Sequence, residues 1–137
     1  MARCTLLLIT TGDSVRRALA EGIMLAEKYV NSLPVDLSII QSCPFAMAPS
    51  ETIREKASYP RRLAASDSAA TSVGALQAIW DGRLWLTPGR CPPAPADANG
   101  ATEWQWAHYN AVLNARPGSY MLLWDVYVAP MTERLAA

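Results

Sequence analysis

The chain is short of the residues from which metal and nucleophilic centres are usually built. It contains one histidine, His108, and three widely spaced cysteines, Cys4, Cys43 and Cys91, with no C-x-x-C pair. That pattern excludes both a zinc ligand set and a disulfide framework, and reduced thiols are expected. Lysine is nearly missing, two against ten arginines, yet twelve basic residues still balance twelve acidic ones. Neither a uniformly basic nucleic-acid binder nor an acidic DNA mimic fits this balance. Residues 1–62 hold eight basic and six acidic groups and the remainder four and six, too even a split to mark an electrostatic footprint. Apolar runs stop after a few residues, far below the ~20 that a membrane helix needs. The opening "MARCTLLLITTGDS" passes into charged and helix-capping residues where a signal peptide would have small residues and a cleavage site. These shortages lead us to expect a soluble cytoplasmic chain with no membrane attachment, no metal and no cofactor.

What is present suits one α/β domain spanning 1–137. At 137 residues, 51% hydrophobic and 18% charged, the chain can bury a sizeable core without metal or disulfide help. "CTLLLIT", Cys4 to Thr10, is apolar on both faces and reads as a central strand. A helix follows, capped by Thr11 or Asp13, with Val15, Leu19, Ile23, Ala26, Val30 and Leu33 as its apolar stripe. "VDLSIIQS" then alternates as a half-buried strand, completing a βαβ unit whose right-handed crossover sets the two strands parallel and allows them to be neighbours. "CPFAMAPS" reads as a loop, residues 51–58 as a short helix, and about Asp67 to Trp80 as another, closing at Gly82. "RLWLT" is a short strand, and the Pro- and Gly-rich stretch 87–101 an exposed loop. Thr102 caps a helix "EWQWAHYNAVLNA", with Trp106, Tyr109 and Leu113 on one face and Trp104, His108, Ala111 and Ala115 on another. "SYMLLWDVYVAP" closes the fold as a strand in which Asp125 is the polar outlier, expected at an exposed end or edge. The expectation is a mixed or parallel sheet of about four strands in the order β-α-β-α-α-β-α-β, with helices on one or both faces.

Chemistry concentrates in "TTGDSVRR". The ends of the first two strands would form a crevice, where Thr10, Thr11, Arg16 and Arg17 are candidates for binding an anion or small ligand. Ser14, Cys43 and His108 are the candidate catalytic groups, a hydroxyl, a thiol and a base. "TTGDS" after an apolar strand resembles the first block of the GDSL, or SGNH, hydrolases, a likeness that would make Ser14 the nucleophile. It covers Gly12, Asp13 and Ser14. The family's D-x-x-H block would have to fall on His108, where Gln105 stands in place of the Asp, and no Gly-x-Asn-Asp block exists.

Two further features point to partners. "IREKASYPRR" groups Arg54, Lys56, Arg61 and Arg62 around Tyr59, a combination suited to an acidic protein face or a nucleic acid. Five tryptophans, with Trp104 and Trp106 facing different ways on one helix, supply residue types that dominate interfaces. The function expected from these residues is a non-catalytic interaction module, an inhibitor or adaptor of phage type, that binds a protein through arginine and aromatic groups, with self-association as one form of contact. The alternative is a small-molecule or anion binder, or a hydrolase, using the Ser14/Cys43 crevice; a nucleic-acid accessory role is the third.

Overall fold

The computed structural model describes residues 2–49, 76–94 and 102–131. Their elements are β1 (Ala2–Thr10), α1 (Val15–Ser32), β2 (Leu37–Pro49), β3 (Ala78–Trp80), β4 (Trp85–Leu86), α2 (Glu103–Leu113) and β5 (Tyr120–Pro130). All five strands join one mixed sheet in the order β2-β5-β1-β3-β4, one strand more than expected. Among the described residues no helix is long and apolar enough to cross a membrane.

β1 sits at the centre because its side chains are apolar whichever way they point. Leu6 and Leu8 lie with Leu122, Trp124 and Val126 beneath Leu25, Ala26, Tyr29 and Val30 of α1. Leu7 and Ile9 meet Ile79 and Met121 beneath Trp104, Ala107, Ala111 and Val112 of α2. One helix therefore covers each face of the sheet. On β5 the alternate residues Leu122, Trp124, Val126 and Val128 all lie in the cluster under α1.

Several expectations need correction. β1 and β2 are parallel, since both run antiparallel to β5, but β5 lies between them and they are not neighbours. β1 pairs in parallel with β3 instead, Leu6–Leu8 opposite Ala78–Trp80. Those three residues were expected to end a helix. A short apolar run fits a buried strand as well as a helix, and the open edge of β1 decides in favour of the strand. Residues 51–58 and 67–75, expected as helices, lie outside the described residues, as do 95–101 of the expected loop.

"CPFAMAP" is not a loop but the second half of β2, which starts at Leu37 and leaves Val35 exposed. The strand tolerates Pro44 and Pro49 because its outer side carries no partner strand among the described residues, and its register slips at Ile40 and at Phe45. On α1 the buried stripe is Ala18, Gly22, Leu25, Ala26, Tyr29 and Val30, rotated from expectation so that Val15 and Ile23 face solvent. Gly22 explains the rotation. A Cβ there would stand 2.6 Å from Trp124 Cζ3 and 2.9 Å from Leu122 Cδ1, so the helix meets the sheet along its side-chain-free line.

Asp125 is the clearest departure. It is the sixth of eleven residues in β5, flanked by β1 and β2, and only 9% exposed. Its Oδ1 accepts a hydrogen bond from Thr5 Oγ1 at 2.9 Å and lies 3.5 Å from Arg3 Nε. A buried carboxylate survives in a sheet when its partners are supplied this way.

Candidate functional site

The turn after β1 satisfies its own donors. Glu21, one helical turn and a half into α1, reaches back so that Oε2 accepts from the N–H of Thr11 at 2.8 Å and of Gly12 at 3.3 Å, and Oε1 from Thr11 Oγ1 at 3.3 Å. A carboxylate of the chain thus occupies the cradle in which an external anion would sit. The helix cap is Ser14, not Asp13 or Thr11: its Oγ accepts from Arg17 N–H at 3.2 Å. Asp13 instead pairs with Arg17 across one helical turn at 3.4 Å, both side chains well exposed. Arg16 makes no ion pair among the described residues.

The three candidate catalytic groups are not brought together. Cys43 is the seventh of thirteen residues in β2, opposite Asp125, whereas Thr10 stands opposite Tyr120. Five residues of strand place Cys43 about 17 Å along the sheet from the end of β1, outside any crevice that Ser14 could share. His108 projects from α2 into a separate apolar cavity of about 210 Å³ lined by Leu7, Ala46, Ala48, Met121 and Leu123. Burial pushes its imidazole pKa down to about 4, and its Nδ1 is closed off from solvent with no hydrogen-bond partner among the described residues. Gln105, which occupies the Asp position of the hydrolase-like block, serves the capping box of α2. Its Oε1 accepts from Thr102 N–H at 2.8 Å while its own N–H donates to Thr102 Oγ1 at 3.1 Å. It orients the helix start and not the imidazole.

The other thiols are set apart by burial. The Cys4 thiol is pushed up by its place in the core, and Cys91 by partial burial and then by the Glu103 carboxylate. Among the described residues no three of His, Cys, Asp and Glu gather as a metal site.

A crevice does form, beyond the carboxyl ends of the two strands that are parallel neighbours, β1 and β3. This is the position at which open α/β sheets take ligands. On one side is the turn 81–84, where Asp81 Oδ1 accepts the N–H groups of Arg83 and Leu84, each at 2.8 Å, and Gly82 adopts φ 101°. On the other is the stretch from the end of α2 to β5, where Ser119 Oγ donates to the Arg116 carbonyl at 2.7 Å. Between them lies a cavity of about 240 Å³ lined by Ile9, Thr10, Thr11, Asp81, Gly82, Arg83, Asn114, Arg116 and Ser119. Beside it lies a trough of about 450 Å³ that shares Asp81, Arg83 and Asn114 and adds Leu84, Leu86, Pro92, Ala107, Asn110 and Ala111.

Of the expected ligand residues, the crevice gathers Thr10 and Thr11 and leaves Ser14, Arg16 and Arg17 outside its lining. Thr10 is fully buried, with its hydroxyl donating to the Tyr120 carbonyl at 3.3 Å. Arg83, Asn114, Arg116 and Ser119 were not anticipated. The available signal was the short "DGR" turn after a buried strand, which becomes a site only once β3 is known to lie beside β1. Of the expected partner residues, Arg54, Lys56, Tyr59, Arg61 and Arg62 lie outside the described residues. Trp104 is only 9% exposed and belongs to the core cluster between α2 and the sheet. Trp106 is partly buried and packs on Tyr109, ring centroids 5.1 Å apart.

Comparison with protein-family models, with curated proteins and with solved structures gives no match to this chain.

Proposed function

We propose that this chain is a binding protein for a small organic anion, seated where β1 and β3 end. One observation carries the reading. Arg83 lines both halves of the crevice and has no ion pair among the described residues, while the neighbouring acid, Asp81, commits one oxygen to two backbone N–H groups. The Thr10, Thr11 and Ser119 hydroxyls already donate to the Tyr120 carbonyl, to Glu21 and to the Arg116 carbonyl, so the Arg83 guanidinium and the Asn114 amide are the donors this reading offers a carboxylate or phosphate.

The test is a thermal-shift and calorimetric comparison of organic anions with their neutral analogues. An anion that binds the native state raises its midpoint, by an amount equivalent to ~2.7 kcal/mol at a hundredfold excess over Kd. Anions are expected to outperform neutral analogues, less so as salt rises. Arg83→Ala should remove that preference by weakening anion binding ~10- to 100-fold, the scale of one charged hydrogen bond. Anions that bind no better than neutral analogues, or equally well to the variant, would overturn the reading.

A protein partner is the second reading, and β2 supports it. This 13-residue strand has no outer neighbour among the described residues and exposes Ile40, Phe45 and Met47. An open edge with apolar side chains is the usual place for a strand or another apolar segment to dock.

A further inference from the structure

We infer that the ligand of the β1/β3 crevice is amphipathic, an organic acid whose charged group lies by Arg83 and Asn114 and whose apolar body runs along the trough beside α2. This rests on the anion-binding reading of the same crevice and adds the chemistry of the rest of the ligand. The two compartments differ in the side chains that each has to itself. The smaller has Thr10, Thr11, Arg116 and Ser119 to itself, together with Ile9 and Gly82, beside the shared Asp81, Arg83 and Asn114. The larger is walled by Leu84, Leu86, Pro92, Ala107 and Ala111, with Asn110 its only polar group not shared with the first.

Asp81, Arg83 and Asn114 belong to both, so they stand at the junction; Asp81 Oδ1 is held by the N–H groups of its own turn, and the head group would lie by Arg83 and Asn114. Ala107 and Ala111 keep the surface of α2 low, and Leu86 packs on the core beneath that helix, giving the trough a firm apolar floor. Leu84 stands 51% exposed at its rim, an apolar side chain that a ligand would cover. The two volumes fall within the ~300–1,000 Å³ range of small-molecule sites when taken as one groove. A free inorganic anion would leave the larger compartment unused, and a plain hydrocarbon would make no contact with the exposed Arg83 guanidinium.

Isothermal titration of the full chain with octanoate, acetate, inorganic phosphate and octanol separates these cases. Octanoate is expected to bind about ten-fold or more tightly than acetate, because only it extends into the trough. It should also exceed octanol, and Arg83→Ala should reduce it to the octanol level. Leu84→Asp, at an exposed position, should abolish the preference for octanoate over acetate and leave the circular-dichroism spectrum unchanged. Acetate or phosphate binding as tightly as octanoate would overturn the amphipathic ligand while leaving the anion site standing. Octanoate and octanol binding alike, with no effect of Arg83→Ala, would overturn the anion site itself, and silence from all four probes would overturn both.

Discussion

At the scale of single residues, the spacing between α1 and the sheet is set by the hydrogen atom of Gly22. Trp124 cannot yield to a larger group, since it is 1% exposed and its Nε1 donates to Ser42 Oγ at 2.7 Å. In an open helix, Gly→Ala stabilises by ~1 kcal/mol. Here the added methyl overpacks the interface, at a cost of ~1–3 kcal/mol that exceeds the propensity gain. Gly22→Ala is therefore expected to lower the urea midpoint; a higher midpoint would show that α1 has room to move. Asp125 marks the limit of reading at this scale. Its polarity is plain in the sequence, but its partner Thr5 is 120 positions away, so its burial is invisible until β1 and β5 are paired.

At the scale of elements, the legible parts are those in which local pattern and surroundings agree. β1 follows from its unbroken apolar run, α2 from its Thr102 cap and the stop at Pro117 and Gly118, and β5 from the apolar run after that stop. β2 and β3 do not. The prolines of β2 argue for a loop, and only its position at the sheet edge makes a bulged strand through Pro49 acceptable. The three residues of β3 carry too little pattern to choose between helix and strand, so the sequence does not reveal that β3, and not β2, is the parallel neighbour of β1. The edge itself is testable. Phe45, 53% exposed at a bulge, can be changed to Lys without loss of core packing. If β2 docks a protein, Phe45→Lys should abolish co-purification of that partner and keep a native circular-dichroism spectrum; an unchanged co-purification would remove the edge from consideration.

At the scale of the whole molecule, His108 ties stability to acidity. Burial holds its folded-state pKa at about 4, below the usual 6.5 of an unfolded chain. As pH falls below about 6.5 the unfolded state binds the proton and the native state does not, so stability is lost until about pH 4, with an upper bound of ~3 kcal/mol. Urea midpoints at about pH 7 and about pH 4.5 should differ more for the wild type than for His108→Leu. Equal differences would place the titration on other groups.

The order of the strands also bears on how the fold is reached. β5 pairs with both β1 and β2, yet it begins only at Tyr120, after every other described element. Until it arrives, the apolar inner edges of β1 and β2 have nothing to close against, and the α1 crossover spans an empty lane. Assembly must wait for contacts between opposite ends of the described chain, the kind that make folding slow. A fragment ending before Tyr120 would lack the lane between β2 and β1 and leave the two strand edges that face it unpaired, the state most open to association with other chains.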